Sequence, residues 1–243
     1  PTNYVGKIIM KKTIVILGAL LIGSCAMAED VLLIKNITLN NFWDKKGLSE
    51  EKVLNVGNKI LVDNKIPRRI PIFVINDSKV LNATSNAYDK KVSIYTPMFL
   101  YIDNDDELAF ILSHEIAHSV EAYGGMMKYI SMTSNAKKYE LKADLNGIDY
   151  MVKSGYDPIA AITIMNKIAG EPVWDWGFMS THPKGSKRLI AMYKYIYVKY
   201  PQYLNSPLTK TNSYKNFEYA MNKEIKEFQL KQRKRQQKQE GAL

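Results

Sequence analysis

Apolar residues recur at three- and four-residue intervals in several stretches of this chain, and each stretch predicts an amphipathic helix. Ser49 to Ile66 is the first, with Ser49 placed to cap it. The strongest signal spans Asp103 to Tyr123. Asp103, Asn104 and Asp105 offer N-cap side chains there, and Asp106 and Glu107 put negative charge where the helix dipole favours it. Leu108, Ile111, Leu112, Ile116 and Val120 then mark a buried stripe, and Gly124-Gly125 ends the helix. Further helices are expected over Asn135 to Ser154, Pro158 to Ala169 and Lys184 to Tyr200, the last with tyrosines at 193, 195, 197 and 200 that read as packing residues. A Trp-rich loop (Trp174, Trp176, Phe178) precedes it. Pro71 to Asn76 and Lys91 to Thr96 are β-branched, alternating runs that read as strands, joined by the polar stretch Asn82 to Lys90. The whole predicts an α+β, mainly helical domain with a small sheet or hairpin beside the Asp103–Tyr123 helix.

The two ends carry different patterns. Met10-Lys11-Lys12 followed by the apolar run Thr13 to Gly23 has the form of a signal peptide, and Ala26-Met27-Ala28 has the small-x-small shape of its cleavage site. Residues 1–28 are therefore read as an upstream extension plus a removed signal peptide, and the product as exported to the periplasm. Ile22-Gly23-Ser24-Cys25 resembles a lipobox, so a lipoprotein anchored at Cys25 is the alternative. Cys25 is the single cysteine, which excludes an internal disulfide. Residues 29–222 are long enough for one domain with its own core, and they contain no second apolar run of membrane length.

The net charge of +10 raises the question of nucleic acid, but the excess is concentrated in 223–243, where seven Lys/Arg face three Glu. That glutamine-rich segment reads as a frayed helix or disordered tail. No nucleic-acid motif accompanies it. An anionic membrane surface or an acidic protein is the candidate partner for its charge.

The chemistry lies in His114-Glu115-Ile116-Ala117-His118, which matches H-E-x-x-H. At 100° per residue the two histidines stack one turn apart and can grip a single ion, and Glu115 can reach a water beside it. A catalytic zinc takes a third protein ligand and keeps one position open. Glu140 and Asp144, four apart on the next long helix, supply the candidates: Glu140 as ligand, Asp144 as an acceptor that fixes a ligand histidine's tautomer. The third histidine, His182 in Ser-Thr-His-Pro, can either hydrogen-bond a developing oxyanion or occupy the open position. Arg188 can orient a carboxylate or stabilise negative charge.

The three ordered blocks D-E-L-A-F-I-L-S-H-E-I-A-H (106–118), E-L-K-A-D (140–144) and S-T-H-P with Arg188 resemble the HtpX and CAAX prenyl protease type of zinc metallopeptidase, nearest its soluble exported BepA-like branch. The resemblance implies a gluzincin (zincin-like) fold, one Zn2+ per chain at His114, His118 and Glu140, Glu115 as general base, and polypeptide substrates among exported or envelope proteins, in protein quality control. It also implies a switch role for His182 at the metal. Asn82-Ala83 resembles the Asn-Ala pair that opens the family's substrate-binding edge strand, although Thr84 stands where a large aromatic is usual. An extended substrate is expected to pair with the edge strand near Lys91 to Thr96. A second class of function remains open at this level: a chaperone or assembly factor for envelope proteins, with latent or secondary proteolysis.

Overall fold

The computed structural model describes residues 48–66, 70–75, 81–86, 90–170 and 185–240, all within the compact unit Lys46–Leu243. The signal-peptide region, the Trp-rich loop and His182 lie outside the described residues.

Helix α1 (Glu50–Asp63) starts where the cap was expected: the Ser49 hydroxyl accepts from the Lys52 N–H at 3.1 Å, with Glu50 and Glu51 in the first turn. Its inward stripe is Val53, Val56, Gly57 and Ile60. Three strands follow: β1 (Ile72–Ile75), β2 (Ala83–Ser85) and β3 (Val92–Tyr95). They form a sheet of order β1-β3-β2, with β1 parallel and β2 antiparallel to β3. Ile72 pairs with Val92, and Ala83 with Ile94.

This topology corrects the sequence reading twice. Part of the polar stretch 82–90 is itself a strand, because the residues around β2 return the chain antiparallel onto β3 in a hairpin. The Lys91–Thr96 run is the middle strand, hydrogen-bonded on both sides, so an added strand cannot pair there. The candidate edge is β2 instead.

Helix α2 (Asp105–Ala122) is capped by Asn104, whose side-chain oxygen accepts from the Glu107 N–H at 2.9 Å. The expected stripe understates its burial, since every residue from Glu107 to Ser119 is buried. A helix covered on all sides is a central one; α1, β2, β3 and the three helices that follow it directly in the chain pack on it. Gly125, at φ +87°, turns the chain into α3 (Met126–Ser134), which the sequence pattern did not separate from its surroundings. Then come α4 (Ala136–Lys153), α5 (Ile159–Gly170), α6 (Ser186–Lys199), α7 (Asn212–Ala220) and α8 (Asn222–Glu240). Asn64, at the end of α1, donates to Tyr150 O at 3.0 Å and Ser154 Oγ at 3.2 Å, tying α1 to the end of α4.

The basic C-terminal segment is a helix whose first half packs: Ile225 is buried, Phe228 meets the rings of Tyr193 and Tyr197, and Gln229 donates to the Tyr193 hydroxyl at 2.7 Å. From Lys231 onward its side chains are largely exposed. Among the described residues, no helix is long and apolar enough to cross a membrane.

Candidate metal centre

Helices α2 and α4 pack side by side, and the site forms where their buried faces meet. On α2 the one-turn spacing brings the His114 and His118 rings to 4.7 Å between centroids, nearly perpendicular, with their Nε2 atoms 3.2 Å apart. From α4, Glu140 places Oε1 3.1 Å from His118 Nε2 and Oε2 3.5 Å from His114 Nε2. His114, His118 and Glu140 thus each offer a ligand atom to one point.

These separations test whether a metal fits. Donors about 2.0–2.1 Å from a tetrahedral ion lie about 3.3–3.4 Å from one another. The imidazole nitrogens are 3.2 Å apart, and each lies 3.1 or 3.5 Å from one of the two oxygens of Glu140, so each of these donor pairs is within a few tenths of an ångström of that spacing. Two imidazoles and a carboxylate are also the donor types a borderline-soft divalent ion takes. His114 is 1% exposed and His118 8%, so His118 is the more accessible of the two.

Asp144 and Arg188 brace the triangle. Asp144 Oδ1 stands 3.1 Å from His114 Nδ1, which keeps a proton on Nδ1 and leaves Nε2 facing the shared point. Arg188, itself buried, donates through Nε to Asp144 Oδ2 at 2.7 Å and through Nη2 to Oδ1 at 2.6 Å. Its third nitrogen, Nη1, lies 3.0 Å from Glu140 Oε2. One guanidinium therefore holds both carboxylates by the planar fork that lysine lacks.

Electrostatically the centre favours a cation. Glu115, Glu140 and Asp144 are all buried, against Arg188, and uncompensated buried charge is costly. Burial works against a charged His114, yet the Asp144 and Glu140 carboxylates outweigh it and push its pKa up to about 10. Burial dominates at His118 and holds it below the ordinary histidine value, despite Glu140. Burial would raise Asp144, but Arg188 and then His114 hold it below the usual carboxylate range. The charge of Glu115 is felt at both His118 and Arg188.

The remaining expected residues divide. Asn82 is buried immediately before β2, and its carbonyl accepts from the Tyr95 N–H at 3.0 Å; Ala83 opens β2, which packs on α2. His182 lies outside the described residues.

A second buried charge group went unread in the sequence. Glu107, assigned only to the helix dipole, is 1% exposed and accepts from Lys167 Nζ at 2.7 Å on both oxygens, from Thr163 Oγ1 at 2.7 Å and from the Asp103 N–H at 2.7 Å. It locks the start of α2 to α5. A lone charged residue, Lys167, in the mainly apolar α5, with Thr163 four residues earlier, was the available signal.

An H-E-x-x-H helix, a glutamate from a following helix and a small flanking sheet define the zincin-like class of metal-dependent hydrolases. The model of peptidase family M48 matches residues 48–133 and 122–196, more than half of the 243 residues, and the chain belongs to that family. It is also 27% identical over 128 residues to the mitochondrial metalloendopeptidase OMA1 of Arabidopsis thaliana, in a match covering 40% of this chain and 26% of that protein. The chain thus spans about a quarter of that relative's length.

Proposed function

We propose that this protein is a zinc-dependent endopeptidase, with the ion held by His114, His118 and Glu140. The supporting observation is the convergence of two imidazole nitrogens and one carboxylate at 3.1–3.5 Å in a buried site braced by Asp144 and Arg188. Family M48 membership and the resemblance to a metalloendopeptidase point the same way.

A zinc ion there supplies a Lewis acid and brings the pKa of a water to about 7. Glu115, one residue along from His114 and buried, takes the water's proton as the oxygen attacks the peptide carbonyl, then delivers it to the leaving nitrogen. Asp144 keeps His114 in the tautomer that presents Nε2, and Arg188 keeps Asp144 and Glu140 from turning away. His182 is proposed to steady the oxyanion or to regulate access to the metal.

An extended substrate would lie along β2 with Asn82 and Ala83 beside it, since β3 is paired on both edges. Substrates are proposed among exported or envelope proteins, with the signal-peptide pattern at 10–28 supporting a periplasmic location.

Glu115→Gln tests the mechanism. The variant is expected to retain one zinc per chain and to lose at least a hundred-fold in casein cleavage. Wild type that carries no zinc, or a variant that cleaves as fast as wild type, overturns the proposal.

A further inference from the structure

Gly147 sits on the same face of α4 as Glu140 and Asp144, three residues after one and seven after the other, and it is buried. A Cβ built on it would lie 3.2 Å from His114 N, 3.3 Å from His114 Cα and 3.4 Å from the Ser113 carbonyl carbon. Carbon atoms pack at about 3.5–4.0 Å, so a side chain here would be held tighter than most and something must give by a few tenths of an ångström. All three neighbours are main-chain atoms, which cannot swing aside as a side chain can. The two helices are therefore in backbone contact at the residue that carries the first metal-binding imidazole. A glycine inside a helix is unfavourable relative to alanine, and here the close approach of α2 and α4 gives it a use.

We propose that Gly147 is a positioning residue of the metal centre: its missing side chain sets the α2–α4 separation at which Glu140 and Asp144 reach His114 and His118. The inference rests on the metal-site reading above. Gly147 lies only about 4.5 Å along the helix axis from Asp144 and about 10.5 Å from Glu140. A methyl group there must push α4 off the His114 backbone by a few tenths of an ångström. That shift acts directly on the 3.1 Å Asp144–His114 and 3.5 Å Glu140–His114 separations. Metal–ligand distances tolerate only about 0.2 Å. The site should feel the change before the rest of the core does.

Gly57 provides the control. A Cβ on it would meet the Ile72 Cδ1 atom at 2.2 Å, in the packing of α1 on β1. Its nearest conflict is with a rotatable side-chain end, not with the backbone of a ligand residue.

Wild type, Gly147→Ala and Gly57→Ala would be stripped with chelator and compared as full chains. Three measurements decide: Zn2+ affinity by competition with a chromophoric chelator, the visible absorption of the Co2+-substituted protein, and the urea midpoint of the stripped protein. Gly147→Ala is expected to lose at least ten-fold in Zn2+ affinity and to show an altered Co2+ band, with a urea midpoint close to wild type. Gly57→Ala is expected to lose stability while its metal affinity and Co2+ band stay unchanged.

The inference is overturned if Gly147→Ala binds Zn2+ within two-fold of wild type or keeps the wild-type Co2+ band. It is equally overturned if that variant fails to fold, or if Gly57→Ala loses as much affinity. Wild type that binds Zn2+ but cleaves nothing sinks the peptidase proposal and leaves this one standing. Wild type that takes no Zn2+ removes both.

Discussion

Replacing Arg188 by alanine isolates how the charge of the metal centre is balanced. The side chain makes three short contacts, at 2.7 and 2.6 Å to Asp144 and 3.0 Å to Glu140, all buried. Hydrogen bonds to charged groups contribute about 1.5–3 kcal/mol each, but the three share one guanidinium and do not add. The governing comparison is the loss of one partner from a buried ion pair, which costs about 3–5 kcal/mol because the other charge is left uncompensated. Arg188→Ala in the chelator-stripped protein is therefore expected to lose about 3–5 kcal/mol of unfolding free energy at pH 7. Arg188→Lys keeps the charge without the fork and should lose about half as much. Adding Zn2+ should narrow the gap between Arg188→Ala and wild type, since a divalent cation takes over part of the neutralisation.

The pH dependence has a definite sign. Burial opposes the Asp144 charge, but Arg188 and His114 hold its pKa below the ordinary 3.8. Its stabilising contribution is present above pH 3.8 and is lost as the pH falls through the depressed value. In the variant Asp144 protonates more readily, so the gap closes on acidification. Urea unfolding followed by far-UV circular dichroism from pH 7 to pH 4 measures this. A gap under about 1 kcal/mol at pH 7, or one that widens toward pH 4, would refute the reasoning.

Lys167→Ala strips Glu107 of its buried cation and should cost about 3 kcal/mol, or about 6–12 °C in melting temperature for a domain of this size; calorimetry of the metal-loaded protein checks it. Chelation should lower the melting temperature reversibly: free Zn2+ at a thousand times its dissociation constant adds about 4 kcal/mol, and an unchanged transition in EDTA would show that no stabilising metal is bound. Asn104→Ala removes the cap that accepts from the Glu107 N–H and should cost about 1 kcal/mol, with Asn104→Asp close to wild type in the same unfolding assay.

The sequence by itself determined what depends on local periodicity. Ser49 and the Asp103–Asp105 run, of which Asn104 is the cap, announced their helices because a capping hydroxyl or amide acts on an N–H only three residues away. The His114–His118 pairing followed from the helical repeat alone, as did the shared face of Glu140 and Asp144. The tertiary structure decided everything that depends on how separate elements cross. Periodicity could not say that Glu140 meets the imidazole Nε2 atoms while Asp144 meets His114 Nδ1, because that turns on the packing of α4 against α2. It could not make Lys91–Thr96 the central strand, since strand order is set by pairing between distant segments. Nor could it say that Arg188, read as able to orient a carboxylate or stabilise negative charge, forks onto Asp144, 44 positions away, or find the Glu107–Lys167 lock or the backbone contact at Gly147. Each of these arises from side chains and backbones brought together across the core, where distance in space no longer follows distance along the chain.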